Sequence, residues 1–279
     1  MLFRSKFHPQ AGNHAGGGGH GPLRAGCVPE AKNIRAMKVK FFTIPNLLTL
    51  SNLMCGSFAA LSALVYGNLE WAFWFVVLAA LFDFCDGFAA RLLHQSSPIG
   101  LQLDSLADMI SFGFVPAAVL YTMTTRTMGE EQVVLRYVYA LASFLLAAFS
   151  ALRLAKFNID DSQHEEFCGL PTPANALFFT SLGLISARTG FDFGGEALIG
   201  IMPVMAWLLI SPVRMFSLKF RGFGWKGNGI RYLFLALCVV LIVVLRLYSI
   251  PAIILLYILI SAVRWGIRLQ QKAEGKGDL

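Results

Sequence analysis

At 279 residues the chain has room for one or two soluble domains, but 56% of its residues are apolar and only 14% are charged, far from the soluble average. Its formal charge of +7 is gathered at a few places between apolar stretches. That is the distribution of a membrane protein oriented by its basic loops rather than of a nucleic-acid binder, so no nucleic-acid partner is expected.

Residues 1–36 are Gly-rich, carry His8, His14 and His20, and lack apolar periodicity. They are expected to be disordered, and without a continuous apolar core they do not read as a signal peptide. A transmembrane domain is expected over 37–265, followed by a basic tail over 266–279. Within it the hydropathy pattern predicts about eight spans, near 45–66, 69–91, 101–124, 134–155, 173–188, 195–212, 231–246 and 250–265, the fifth and eighth being short. The fold class is therefore an all-α, polytopic helical bundle. Basic residues precede the first span (Lys32, Arg35, Lys38, Lys40), separate the sixth from the seventh (Arg214, Lys219, Arg221, Lys226, Arg231) and follow the last (Arg264, Arg268, Lys272, Lys276). With eight spans these segments share one side, which the positive-inside rule makes cytoplasmic, together with both termini. Five cysteines (Cys27, Cys55, Cys85, Cys168, Cys238) show no CxxC spacing, so neither a disulfide framework nor a zinc site is expected.

Acid interrupts the apolar pattern twice, at the end of the second predicted span and the start of the third. Each carboxylate inside a span costs ~2.5–3.5 kcal/mol at the bilayer centre, less near an interface. Asp83 and Asp86 are three apart, and Asp104 and Asp108 four apart, so on helices each pair shares a face. The short connection over 92–99 makes the two helices antiparallel neighbours and lets the four acids converge near the cytoplasmic surface. Arg91 is the one basic residue in the stretch, too little to neutralise them. Cations must supply the rest. All-oxygen ligation favours Mg²⁺ or Mn²⁺, and four acids suffice for a two-metal clamp on a phosphoryl centre. Gly87 and Gly100 allow either close helix packing or room for a ligand.

The run Asp83-x-x-Asp86-Gly87-x-x-Ala90-Arg91, eight further residues, then Gly100-x-x-x-Asp104-x-x-x-Asp108 resembles the full signature of the CDP-alcohol phosphotransferase family. The resemblance implies a six-helix catalytic core, usually homodimeric, in which the aspartates hold two divalent ions. It also implies that the cytidine diphosphate lies across Gly87, Ala90 and Arg91, and that Asp108 is the general base.

The stretches Ile44–Leu53, Arg153–Asn158 and Phe167–Pro173 are similar to segments of the bacterial-type phosphatidylserine synthases within that family. Lys156 departs from the more usual Arg there. This branch implies CDP-diacylglycerol and L-serine as substrates in a bacterial-type cytoplasmic membrane, with phosphatidylserine and CMP as products. Arg153, Lys156 and Asn158 are then candidates for an acceptor or phosphate pocket; for Lys156 snorkelling to lipid headgroups is an equal reading, whereas a site role is favoured for Arg153. Asn46 and Thr49 are placed to contact the nucleotide, although Asn46 also fits a helix cap after Pro45. Two other readings remain open: the same chemistry on glycerol phosphate or an inositol compound, and an ion or solute transporter, whose acids would lie deeper in the membrane.

Overall fold

The computed structural model describes residues 41–95, 97–127, 133–159, 167–216, 228–273 and 275. The expectation for 1–36 lies outside these residues. Helix α1 (Ile44–Leu64) opens with Thr43 as its cap, the hydroxyl accepting from Asn46 N at 3.4 Å, and with proline in its first turn. The cap reading of Asn46 is thereby corrected. The helix begins before it, and its side-chain amide donates to Phe41 O at 2.9 Å.

Helix α2 (Leu69–Leu92) returns antiparallel to α1 and is capped by Asn68, which accepts from Trp71 N. A third pass begins at Pro98, after the Ser97 cap, and comprises α3 (Pro98–Asp108), a π-helical turn (Met109–Phe114) and α4 (Val115–Thr127). The fourth pass is broken at Ser143–Phe144 into α5 (Val133–Ala142) and α6 (Leu145–Ile159). Then come α7 (Thr172–Thr189), α8 (Gly195–Ile210), α9 (Gly229–Leu245) and α10 (Ser249–Ala273). The last helix was expected to end at 265 and instead continues to Ala273, so Arg264 and Arg268 lie on it.

Among the described residues, five segments are long and apolar enough to cross a membrane: Ile44–Leu64, Leu69–Leu92, Pro98–Thr127, Val133–Ile159 and Gly229–Gln271. The last has 43 residues, about 65 Å at ~1.5 Å per residue, which is twice a ~30 Å hydrocarbon core. It is a hairpin, reversed at Arg246, where φ is 45°, and α9 packs back on α10. Helix α8 is apolar but has only 16 residues. Helix α7 is more polar because it is surrounded by protein: Thr172, Asn175, Thr180 and Ser181 are buried where it packs on α2, α4 and α10. Large apolar side chains on the outer faces, such as Met54, Phe58, Trp71, Trp74, Leu81 and Phe88, suit a lipid surround. These helices make an all-α integral membrane protein.

The packing of α1 explains the position of the acids. Its buried stripe is polar towards the start, with Asn46, Thr49 and Asn52, and small beyond, with Cys55, Gly56, Ala59 and Ala63. Small residues let helices approach closely where there is no water to drive association. A Cβ on Gly56 would lie 2.8 Å from Ser111 Cα, so only glycine admits the π-turn at this distance. Ser111 Oγ then donates to Asn52 O at 3.1 Å. Further along, Thr122 Oγ1 donates to Ala63 O at 3.0 Å.

The segments before α7 and after α8 are joined by a two-residue antiparallel ladder, Phe167–Cys168 with Arg214–Met215. Gly169 has φ 78°, and a side chain there would collide with the Leu209 carbonyl. Leu170 N donates to Leu208 O at 2.9 Å, so this turn satisfies a carbonyl that the last turn of α8 leaves open.

Candidate active site

On α2 the buried positions run Leu69, Ala72, Phe73, Val76, Ala79, Asp83, Asp86. Both acids therefore continue the stripe that packs on the bundle, and their helix period turns them inward rather than to lipid. On α3, Asp108 is fully buried and Asp104 half-buried. Carboxylate oxygens of Asp83, Asp104 and Asp108 lie within 4.8 Å of one another. The predicted convergence holds for these three. Asp86, also buried, stands one turn along α2 and receives a hydrogen bond from Thr49 Oγ1 at 2.5 Å.

Helix α1 closes the site with groups that the sequence did not single out for this task. Asn52 Nδ2 donates to Asp108 Oδ1 at 3.3 Å. The available signal was the spacing of Asn46, Thr49 and Asn52 at steps of three, which puts three polar groups on one helical face. Thr49, expected at the nucleotide, donates to the Asp86 carboxylate. The π-turn that begins immediately after Asp108 was not foreseen either, and such turns occur preferentially at functional sites.

The two glycines differ. A Cβ at Gly100 would meet Asn46 Oδ1 and Ser97 Oγ, each at 3.1 Å, whereas a Cβ at Gly87 would have nothing within 4 Å. Gly100 therefore serves close approach of α3 to α1, while Gly87 borders open space beside Asp86. Ala90 is half-buried and Arg91 exposed, with Arg91 Nε donating to Gly87 O at 2.9 Å.

Helix α6 supplies the cation. Arg153 is buried, its Nη1 donates to Thr172 Oγ1 on α7 at 3.3 Å, and its charge interacts with that of Asp108. Lys156, one turn on, is exposed and so stands apart from Arg153. Asn158 Nδ2 donates to Ser105 Oγ at 2.9 Å, tying the end of α6 to α3 beside Asp104.

The donor set suits a hard divalent cation. It consists of carboxylate oxygens, three of them gathered within one ion's reach, and Asp104 Oδ1 and Asp108 Oδ2 are buried without a hydrogen-bond partner among the described residues. Such a cluster of acids beside an open glycine and a buried arginine is equipped to bind and orient a phosphoryl group and to move a proton.

Comparison with known proteins agrees. The CDP-diacylglycerol–serine O-phosphatidyltransferase of Helicobacter pylori (strain J99) is 28% identical over 228 residues, 80% of this chain and 91% of the relative. The enzyme of the same name from Bacillus subtilis (strain 168) is 35% identical over 130 residues, 47% of this chain and 69% of the relative. The archaetidylserine synthase of Methanothermobacter thermautotrophicus is 33% identical over 175 residues, covering 62% and 69%. The model of the CDP-alcohol phosphatidyltransferase family matches residues 42–216, from the approach to α1 to the end of the β-ladder and so across every acid of the site. The chain belongs to the CDP-alcohol phosphatidyltransferase family.

Proposed function

We propose that the protein transfers the phosphatidyl group of CDP-diacylglycerol to the hydroxyl of L-serine, giving phosphatidylserine and CMP. The observation that carries this reading is the convergence of Asp83, Asp104 and Asp108 in a chain whose relatives are named for that reaction. Asp83, Asp86, Asp104 and Asp108 would hold two divalent ions, Mg²⁺ or Mn²⁺, which when bound neutralise the diphosphate and stabilise charge on the departing CMP.

The chain's own residues divide the remaining work. The open side of Gly87 admits the diphosphate next to Asp86, with Ala90 and Arg91 along the same helix towards the cytidine. Thr49 and Asn52 hold two of the carboxylates in fixed orientation. Asp108 Oδ1 is engaged by Asn52, so Oδ2 is the oxygen assigned to take the proton of the serine hydroxyl. The serine oxygen forms its bond to the phosphorus that carries diacylglycerol. The bond from that phosphorus to the CMP oxygen breaks, and CMP keeps the electron pair. Arg153, buried and close to Asp108, holds the serine carboxylate or the lipid phosphate. Basic loops orient the site towards the cytoplasm, where serine is available.

The test is CMP release by the purified protein in detergent, with Mg²⁺ or Mn²⁺ and CDP-diacylglycerol, offering serine, glycerol phosphate or inositol in turn. Serine-dependent release with formation of phosphatidylserine is expected. Release with another acceptor and none with serine would overturn the serine assignment, and no release with any would return the transporter reading.

A further inference from the structure

Asn175 lies on α7 one turn beyond Thr172, and both are fully buried. Residues three apart on a helix share a face. Thr172 accepts from Arg153, so this face is turned to the cationic wall of the site. Neither Oδ1 nor Nδ2 of Asn175 has a hydrogen-bond partner among the described residues. Buried amides are rarely left in this state, and each such group calls for an explanation. An apolar side chain would avoid the cost altogether, as Ala176 and Phe179 do on the same buried stretch of α7. Other buried side-chain oxygens without a partner, Asn52 Oδ1, Asp104 Oδ1 and Asp108 Oδ2, belong to the carboxylate centre, where substrate and cation are to be received.

We propose that Asn175 is a specificity-determining residue that binds the α-amino acid head of the acceptor, its Oδ1 accepting from the ammonium group and its Nδ2 donating to the carboxylate. This rests on the serine reading given above. The chemistry fits a zwitterion: an amide presents a donor and an acceptor side by side without charge, and Arg153 supplies the cation for the carboxylate. Hydrogen bonds to charged groups are roughly twice as strong as neutral ones, so an acceptor lacking the ammonium leaves Oδ1 with a weaker partner or none.

The test compares wild type, Asn175→Leu and Asn175→Ala, all as full-length protein in detergent. Steady-state CMP release gives KM for serine and for CDP-diacylglycerol, and thermal unfolding gives the midpoint. In both variants KM for serine should rise about tenfold or more, KM for the lipid should stay within about twofold, and the midpoint should hold or rise because two unpaired groups have been removed. If leucine overfills the site, the alanine variant carries the reading alone. Competition by glycerate, which has a hydroxyl where serine has its ammonium, adds a second readout. Wild type should discriminate against it, and the ratio to serine should shrink in Asn175→Ala. An unchanged KM for serine, an unchanged discrimination ratio, or a lowered midpoint with KM for both substrates unaffected would each overturn the proposal. If wild type itself ignores serine, the serine reading falls and takes this inference with it. If wild type uses serine and the variants behave like it, only the role of Asn175 falls.

Discussion

Asn52 on α1 donates through Nδ2 to Oδ1 of Asp108 on α3 at 3.3 Å, across 56 residues of sequence. Two turns of different helices thus fix one carboxylate, and the anchor is reinforced by Ser111 Oγ, which donates to the carbonyl of the same asparagine. Replacing Asn52 by alanine should let the Asp108 carboxylate rotate. A hydrogen bond to a charged group contributes about 1.5–3 kcal/mol, so kcat should fall by about tenfold or more, with KM for CDP-diacylglycerol changed much less. Steady-state CMP release at saturating serine measures both, and wild-type kcat would show that Asp108 needs no such support.

Asp108→Asn keeps the shape of the side chain but cannot accept the serine proton. General-base catalysis is typically worth ~10²–10⁴-fold, so turnover should fall by at least the lower figure while lipid affinity is largely kept by Asp83, Asp86 and Asp104. Asp86→Asn should weaken metal and lipid binding together, because it removes an acid beside the open side of Gly87. Equilibrium binding of CDP-diacylglycerol at a series of Mn²⁺ concentrations separates the two variants. Equal loss of lipid affinity in both would make Asp108 a metal ligand first.

Two glycines on neighbouring helices should respond in opposite ways to the same change. Gly56→Ala puts a methyl group against the main chain of Ser111, and overpacking of this kind costs about 1–3 kcal/mol, read as a lowered thermal midpoint in detergent. Gly87→Ala meets no protein atom within 4 Å, so its midpoint should match wild type. Its KM for CDP-diacylglycerol should rise instead, because the methyl group occupies the space assigned to the diphosphate. A destabilised Gly87→Ala with normal kinetics would assign that glycine to packing.

The membrane class and the inward pairing of the acids were legible in the sequence, because each depends on short-range pattern; the expected direct pairing of the second and third spans was not borne out, since α2 and α3 each pack on α1 instead. Apolar run length decides whether a segment spans. A helical period of 3.6 decides that Asp83 shares a face with Asp86, and Asp104 with Asp108. How closely the four acids converge on one site went beyond that period, since it also required knowing how α2 and α3 each sit against α1. The structure draws Asp83, Asp104 and Asp108 together and gives Asp86 to Thr49. The placement of α3 against α1 depends on contacts between residues distant in the chain: Gly56 admitting Ser111, the π-turn that follows Asp108, and Gly100 passing close to Asn46. Arg153 is a similar case. The sequence favours it over Lys156, one turn on, for a role in the site, but only the tertiary structure buries Arg153 with a bond to Thr172 and leaves Lys156 exposed. Local periodicity determines which side chains share a face, whereas the partners of that face are chosen by steric fit between helices, which no single segment contains.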